Sequence, residues 1–274
     1  MFQSYNKPQT GTGAALAMAE VIYHSIVRSV RATHGNAFIA IGMNLVQMII
    51  MVGVFFAMFT LLGLRGAAIR GDFLLYIMSG IFLFMTHNKA LTAVLSAEGP
   101  ASPMMLHAPM NTIVAICSAA LGALYTQVFS LIIVLYVYSA AVNPIVIDQP
   151  FPAFGMLLLA WFTGAAIGVV FMALKPWFPT FVSIGSTLYK RVNMISSGKM
   201  FVANSLPPFM LQMFDWNPLF HCVDQIRGYV FINYFPRNSS WEYAFWVGIV
   251  ILMIGLMGEF YTRRHASLSW SARR

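Results

Sequence analysis

Three basic side chains lie close together in one stretch of this chain, LYKRVNMISSGKM, residues 188–200. The basic residues are Lys190, Arg191 and Lys199. Their surroundings are apolar, and ionisable side chains in a membrane segment cost free energy unless they face a bundle interior or a water-filled path. We therefore expect Lys190 and Arg191 to lie where an anionic substrate enters.

Side chains on both sides of these cations separate into two helical faces. One face is polar and the other is apolar, and a lipid-facing helix needs no polar stripe. The pattern therefore predicts a helix over 181–203 whose polar face meets protein or water. The polar face carries Ser183, Thr187, Lys190 and Ser197, and the apolar face carries Ile184, Leu188, Val192 and Ile195.

The depth of the cations has three interpretations. If the helix begins at Phe181, Lys190 lies about 14 Å deep at a rise of 1.5 Å per residue. If residues 176–189 run along the membrane surface instead, Lys190 and Arg191 mark the cytoplasmic mouth of a path. In the third interpretation the long side chains snorkel to the interface. The sequence leaves all three open.

A broken stretch follows, with the sequence SLPPFMLQMFDWNPLFHCVDQIRGYVF. Pro207 and Pro208 end a helix, and each later helical piece is too short to span a bilayer. Irregular backbone at membrane depth is tolerated where protein buries it or where it lines an aqueous cavity. We therefore predict short re-entrant helices over about 204–235, in which Asp224 and Arg227 are spaced for a local ion pair.

Aromatic side chains are concentrated in the same stretch. They suit an interfacial belt, and they also suit a stacking surface for sugar rings, which offer C–H faces to aromatic rings. Both roles stay open from the sequence. The aromatic residues that we assign to a substrate path are Phe209, Phe214, Trp216, Phe220 and Tyr229.

The composition indicates a membrane protein. Of 274 residues, 59% are hydrophobic and 9% are charged, whereas soluble domains carry about 25% charged residues. A spanning helix needs about 20 mostly apolar residues, so the chain has room for six or seven spans and for no separate soluble domain. We predict an all-α membrane protein in which residues 1–274 form one transmembrane domain. The predicted spans are about 36–63, 73–95, 111–138, 154–174, 181–203 and 241–262.

Residues 15–31 precede the first span and are amphipathic. Their basic and apolar side chains fall on different faces, which is typical of a helix lying along the membrane surface. A cytosolic helix packed on a partner is the alternative. The first long apolar run begins near Phe38 behind a polar and basic leader, so we expect a retained span rather than a cleaved signal peptide.

The placement of Lys and Arg predicts that both termini are cytoplasmic. In that orientation nine basic residues lie on the cytoplasmic side and four on the outer side, with the cations at 190, 191 and 199 set aside. An even number of spans agrees with this topology. The formal charge of +8 therefore indicates topology and contact with anionic membrane lipids, and not nucleic-acid binding.

Several kinds of enzymatic site are missing from the sequence. It contains no GxxxxGK[ST], HExxH or GxSxG pattern, and Cys117 and Cys222 fit neither a metal nor a redox spacing. We expect no catalytic residue, no metal site and no cofactor bound by this chain. Ion-coupled transporters use buried carboxylates, and the chain has eight acidic residues in all. We therefore expect a separate nucleotide-hydrolysing subunit to supply the energy for transport.

The layout of an amphipathic N-terminal helix, six spans and a broken stretch before the last span resembles the ABC-2 type permeases that export polysaccharides. Those proteins are the membrane subunits for capsule, O-antigen (lipopolysaccharide) and related glycolipids. Phe178–Pro179 followed by Lys190, and the stretch APMNTIVAICSAAL, are similar to family features, whereas His24–Ser25 stand where an Arg-Glu pair is usual. The most specific match is to the family's WNP-L-x-H-x-x-E-x-x-R pattern, through Trp216, Asn217, Pro218, Leu219, His221 and Arg227.

The resemblance implies a homodimer with one channel, paired with two copies of an ABC ATPase that binds ATP and Mg²⁺. The cargo would be a lipid-linked glycan, whose phosphate meets Lys190 and Arg191 on its way across a bacterial inner membrane. Periplasmic or outer-membrane export proteins are a further class of partner. An ABC-2 permease for a drug or simple lipid, and a membrane enzyme acting on lipid-linked sugars, are the alternatives. The residues expected to contact the ATPase are Arg28, Arg31, Glu98 and His107.

Overall fold

The computed structural model describes residues 20, 24–26, 37–63, 71–97, 99 and 112–265, and the regular structure of these residues is helical. Short helical pieces lie at 20 and 24–26. The helices that follow are α1 (Ala37–Leu61), α2 (Phe73–Leu95), α3 (Thr112–Ala141), α4 (Pro150–Leu174), α5 (Pro179–Ser196), a 3₁₀ turn (Ala203–Ser205), α6 (Pro208–Phe214), α7 (Pro218–Val230) and α8 (Trp241–His265). Four of them, α4 to α7, have proline in the first turn, where its missing N–H leaves no hydrogen bond unmade.

Five of the described helices are long and apolar enough to cross a membrane, namely α1, α2, α3, α4 and α8. They correspond to five of the six predicted spans, with ends that differ by at most four residues. The described chain is therefore an all-helical protein with five candidate membrane-spanning helices, which is consistent with a multi-pass membrane protein. The sixth predicted span is not among these candidates, because α5 is interrupted by polar and charged side chains along its whole length.

The helix within the predicted span 181–203 ends earlier than expected. α5 stops at Ser196, and Gly198 adopts a φ of +74°. Glycine reaches this left-handed conformation without the steric cost of a Cβ atom, so it commonly ends helices. A Cβ at Gly198 would also lie 2.8 Å from the Phe220 ring. The chain then turns through 199–202 before the 3₁₀ turn begins.

The helix α2 occupies the centre of the bundle. Its most apolar stretch is 83% buried, against 50% for α4 and 22% for each of α1, α3 and α8. α2 and α4 run parallel and meet at small residues, because a Cβ at Gly164 would overlap the His87 carbonyl and one at Gly168 would lie 2.8 Å from the carbonyl oxygen of Leu91. Such close backbone approach is how helices associate where lipid removes the hydrophobic driving force.

The helix α8 runs parallel to α4 on another side. A Cβ at Gly248 would lie 2.7 Å from the Phe162 ring, and one at Gly255 would lie 3.0 Å from the backbone N of Val170. The Thr262 hydroxyl donates to the carbonyl oxygen of Ala173 at 3.0 Å. α2, α4 and α8 therefore point in one direction.

The short helix α7 packs beside the first halves of α2 and α4. Ile226 of α7 lines an apolar crevice with Leu75 of α2 and Leu157 of α4. At the end of α7 the carbonyl oxygen of Tyr229 accepts from the backbone N–H of Gln149 at 2.8 Å, just before α4 begins. α7 therefore rises to the end of the bundle at which α2 and α4 start.

Candidate functional site

The helix α5 packs on the bundle by one narrow edge and leaves its other faces open. The buried positions are Val182, Ser186, Asn193 and Ser196, at helical spacing. Neither of the two predicted faces coincides with this edge. The apolar face remains exposed, and so does the first part of the polar face, at Ser183 and Thr187. The exposed apolar positions are Ile184, Leu188, Val192 and Ile195.

The predicted path residues of α5 lie on the open side of that helix. Ser183, Thr187 and Arg191 are exposed, and Lys190 is half-buried. Ser197 differs from the expectation, since it follows the end of α5 and is buried. The first part of the predicted polar face is therefore accessible in this chain, whereas its last member is not.

A buried histidine ties α5 to the bundle beside the cations. The ring of His87, on α2, contacts the Ala160 carbonyl through Nδ1 at 3.1 Å and the Tyr189 hydroxyl through Nε2 at 3.0 Å. A carbonyl can only accept, so Nδ1 carries the proton and Nε2 accepts from Tyr189. Because Tyr189 precedes Lys190, this bond sets the level of the cations along α2. His87 lies eight residues before the end of α2, about 12 Å at 1.5 Å per residue.

A level of this kind along α2 is what the first interpretation of the depth of Lys190 expects. The structure has α5 begin at Pro179 and run along α2 and α4, and a Cβ at Gly185 would lie 3.6 Å from the Phe171 ring of α4. Tyr189 is held against α2 by the His87 ring, whose other nitrogen contacts Ala160 of α4, and the choice among the three interpretations of depth stays a prediction.

Lys199 is the cation of this stretch that the sequence left without a role, and it is buried. Its side chain is 2% exposed, and its Nζ has no hydrogen-bond partner among the described residues. The ammonium lies 3.3 Å from the centre of the Phe84 ring and 5.0 Å from that of Phe55. Phe84 is the middle residue of α2, so this charge lies at the centre of the bundle.

Arg227 of α7 is buried next to Lys199. Its guanidinium donates through Nη1 to the carbonyl oxygens of Gly198 at 2.9 Å and Phe201 at 2.6 Å, and through Nη2 to that of Lys199 at 3.0 Å. It also stacks over the Tyr76 ring, 4.3 Å from its centre. Arg227 therefore holds the turn that carries Lys199. We refer to these two side chains as the buried cation pair.

One stripe of α2 receives both members of the buried cation pair and Tyr189. Its residues are spaced by three or four, which places them on one face of a helix. At the glycine of this stripe, Gly80, a Cβ would lie 3.0 Å from the Lys199 Cα and 3.1 Å from Arg227 Nη2. The absence of a side chain there lets both cations approach α2. The stripe consists of Tyr76, Gly80, Phe84 and His87.

The free-energy balance differs between the two members of the pair. A lysine at the centre of a membrane helix costs about 2.5–3.5 kcal/mol, and a desolvated cation–π contact returns about 2 kcal/mol. Lys199 therefore carries a net cost. Arg227 makes three charge-assisted hydrogen bonds, each worth about 1.5–3 kcal/mol, which exceed the cost of its charge. Arg227 stabilises the fold, and Lys199 does not.

The residues of the WNP motif hold the turn between α6 and α7. Asn217 caps α7, since its Oδ1 accepts from the Leu219 backbone N–H at 3.0 Å. Its Nδ2 donates to Asn193 Oδ1 at 2.7 Å and to Ser196 Oγ at 2.9 Å. Pro218 then occupies the first position of α7. This motif therefore joins the start of α7 to the end of α5.

His221 and Asp224 connect α7 to the segment before α8. The backbone N–H of Ser240 donates to His221 Nδ1 at 3.0 Å, so Nε2 carries the ring proton and donates to the Asp215 carbonyl at 2.6 Å. Asp224 accepts from the hydroxyls of Tyr234 and Ser239. Burial, followed by the charge of Asp224, raises the pKa of the Tyr234 hydroxyl.

The predicted Asp224–Arg227 ion pair is wrong. The ion pairs among the described residues join Glu20 to His24 and Glu259 to Arg263. Asp224 accepts from Tyr234 and Ser239, whereas Arg227 donates to backbone carbonyls of the turn that follows α5. The spacing along α7 permits the pair, but both side chains form hydrogen bonds with partners outside that helix instead. Burial of Arg227 also removes it from the outer loops in which the topology count had placed it.

The aromatic residues assigned to a substrate path divide by exposure. Phe209 and Trp216 are exposed, and Phe214 and Tyr229 are half-buried. Phe220 is 1% exposed and packs against Phe201 beneath Gly198. Phe220 is therefore a packing residue of the turn in this chain. The exposed members lie on α6 and in the turn after it, where they can meet lipid, sugar or a partner.

The residues expected to contact an ATPase lie outside the described part of the chain. This applies to Arg28, Arg31, Glu98 and His107. Of the predicted surface helix over 15–31, the structure describes 20 and 24–26, which are helical. The interface helix and its contacts therefore remain predictions from the sequence.

Comparison with known proteins identifies no family for this chain. No protein-family model matches the chain, and no curated protein matches it. The resemblance to ABC-2 permeases therefore remains a prediction that rests on the residues quoted above.

Proposed function

We propose that this chain is the permease subunit of an ATP-driven exporter that moves a polysaccharide or a lipid-linked glycan out of the cytoplasm. The observation that carries the proposal is the position of Lys190 and Arg191. They lie on the open side of α5, beside the middle of the bundle, in a helix that is otherwise packed by one edge. Charge at membrane depth faces a protein interior or an aqueous path.

A second copy of the chain supplies the missing wall in this proposal. The open side of α5 carries exposed Ser183, Thr187 and Arg191, which lipid cannot hydrate. Two copies that face each other through these surfaces enclose a polar path with four cations from positions 190 and 191. An anionic phosphate of a lipid-linked glycan is the kind of cargo that such a path attracts.

In the same proposal, residues 179–205 complete a sixth crossing of the membrane. α5 starts near the end of α4 and reaches the middle of α2 at Lys199, and Asn204 then contacts Phe235 and Arg237 near the start of α8. The segment 206–230 returns as a re-entrant pair of short helices, α6 and α7. This arrangement accounts for an even number of crossings and for both termini in the cytoplasm of a bacterial inner membrane.

The proposal assigns energy supply to a partner. Two copies of an ABC ATPase, each with ATP and Mg²⁺, would drive the homodimer, and periplasmic or outer-membrane proteins would extend the route. No catalytic role is proposed for this chain. The exposed aromatic residues Phe209 and Trp216 favour a glycan over a drug or a simple lipid, because aromatic rings stack on the C–H faces of sugars.

The first test is deletion of the gene in its host, followed by fractionation of the cell's polysaccharide. Glycan trapped inside the cell with a bare surface is the expected result. Normal surface glycan would contradict the proposal and favour the drug or lipid exporter. Glycan missing from every fraction would contradict it too and favour an enzyme of lipid-linked sugars.

The second test addresses the cations themselves. The Lys190→Gln/Arg191→Gln double variant should abolish export while the protein still forms its dimer and binds the ATPase. The Lys175→Gln/Arg237→Gln double variant removes the same charge at exposed positions away from the path, and it should export normally. Unchanged export by the first variant would remove the role assigned to Lys190 and Arg191.

A further inference from the structure

Lys199 brings a positive charge into the bundle that no hydrogen bond or ion pair of the described residues offsets. Arg227 belongs to no ion pair among these residues either. Asp224, three residues before Arg227 on α7, accepts from two neutral hydroxyls, those of Tyr234 and Ser239, so its negative charge remains available to offset that of Arg227. Buried charges in proteins are ordinarily paired with an opposite charge or bound to a ligand. The unpartnered ammonium of Lys199 therefore calls for an anion.

The stretch of chain that carries the pair also contains buried hydrogen-bond donors without acceptors. Between residues 193 and 227, four buried side-chain atoms have no hydrogen-bond partner, and each of them can donate a hydrogen bond. Lys199 Nζ contacts the faces of Phe84 and Phe55, which offer no lone pair. This stretch therefore contains hydrogen-bond donors that have no acceptor. The four atoms are Asn193 Nδ2, Ser197 Oγ, Lys199 Nζ and Arg227 Nε.

We infer that Lys199 and Arg227 form the cationic part of a binding site for an oxyanion, such as a phosphate or carboxylate group, beside the middle of α2. Arg227 is held in place by three carbonyl oxygens, so it supplies a fixed charge. Lys199 supplies the mobile donor, because its ammonium has aromatic neighbours and no hydrogen bond to break. A charge-assisted hydrogen bond to an oxyanion is stronger than the contact with the Phe84 face.

Two sources offer the same oxyanion chemistry. One is the transported substrate, and this source rests on the proposed function, in which Lys190 and Arg191, earlier in the same stretch of chain, attract the same kind of anion. The other is the headgroup of a membrane phospholipid bound between the helices. The experiment distinguishes the two sources.

The test measures ligand-induced stabilisation of the purified full-length protein in a neutral maltoside detergent. The probes are sodium pyrophosphate, against sodium chloride of equal ionic strength, and phosphatidylglycerol, against phosphatidylcholine. A ligand that binds the folded state raises the unfolding midpoint by mass action. We expect a rise with one or both anionic probes, and we expect Lys199→Met to weaken binding at least about tenfold, as loss of one charge-assisted hydrogen bond implies.

Two matched variants make the result specific. Lys199→Arg keeps the charge and should retain most of the rise, and Lys175→Met removes an exposed lysine and should leave the rise unchanged. A response to pyrophosphate assigns the site to a soluble or substrate phosphate, and a response confined to phosphatidylglycerol assigns it to a lipid headgroup. No rise with either probe, or an equal rise in Lys199→Met, would overturn the inference.

The outcome is separable from that of the proposed function. The binding experiment uses purified protein and needs no export. If Lys199→Met binds like the wild type while export still requires Lys190 and Arg191, the oxyanion site is wrong and the exporter stands. If binding requires Lys199 but deletion of the gene leaves surface glycan unchanged, the site stands and the exporter is wrong.

Discussion

Replacing the two members of the buried cation pair by methionine, one at a time, should change stability in opposite directions. Arg227→Met removes three hydrogen bonds and leaves the carbonyl oxygens of Lys199 and Phe201 without their donor, whereas that of Gly198 keeps a long bond of 3.4 Å from the Phe201 N–H. Unsatisfied buried acceptors cost about 1–3 kcal/mol each. We expect Arg227→Met to destabilise the protein by about 3 kcal/mol, which is the scale on which buried charged contacts are broken.

Lys199→Met breaks no hydrogen bond and removes a charge from the centre of the bundle. Methionine has a similar length and an apolar sulfur that packs well on Phe84 and Phe55. Because the cost of the buried charge exceeds the cation–π contact by about 1 kcal/mol, we expect Lys199→Met to be neutral or to stabilise by about that amount. A stability cost that persists at one residue is typical of a functional side chain.

The assay is reversible unfolding in mixed micelles with increasing dodecyl sulfate, followed by near-ultraviolet circular dichroism. Arg227→Lys serves as a control for charge alone, and it should recover less than half of the lost stability, because an ammonium cannot reproduce the fork that reaches three carbonyls. The reasoning is refuted if Lys199→Met is the more destabilised of the two methionine variants, or if Arg227→Lys behaves like the wild type.

Two further predictions concern the contacts that position the site, and both use the same unfolding assay. Gly164→Ala should destabilise the protein by about 1–3 kcal/mol, because its Cβ would overlap the His87 carbonyl. Gly155→Ala in the same helix has open space, so it should be neutral or stabilise by up to about 1 kcal/mol through helix propensity. Equal effects of the two variants would contradict the close α2–α4 approach. Tyr189→Phe should lower the free energy of unfolding by about 1 kcal/mol, because it leaves buried His87 Nε2 without its donor. Tyr229→Phe should lower it by less. A larger loss of stability in Tyr229→Phe would argue against the anchoring of α5.

Much of the fold could be predicted from local sequence. The apolar runs determine where α1 to α4 and α8 lie, since a run of about 20 apolar residues has no other stable environment than lipid or a core. Pro207 and Pro208 determine that the next helix is interrupted, because proline lacks the N–H that a helix needs. These rules act within one helix, so they required no knowledge of what packs against it.

The extent of α5 was harder to predict. Its hydrophobic pattern suggested a span to 203, and the helix ends at Ser196 instead. Gly198 is readable as a possible helix end, but glycine is also common within membrane helices. Its left-handed conformation depends on Phe220, which leaves no room for a Cβ, and on Arg227, which binds its carbonyl. Both contacts come from α7.

The sequence alone determined that three cations lie in one short stretch of an otherwise apolar chain, because their types and their surroundings are local facts. The tertiary structure decided which of them are open and which is enclosed. Lys190 and Arg191 lie on the open side of α5, whereas Lys199 is covered by Phe55 and Phe84. Those rings are more than a hundred residues away along the chain, and the helical periodicity of a sequence gives no information on contacts at that separation. Burial of a charge is a property of packing, so only the assembled bundle assigns it.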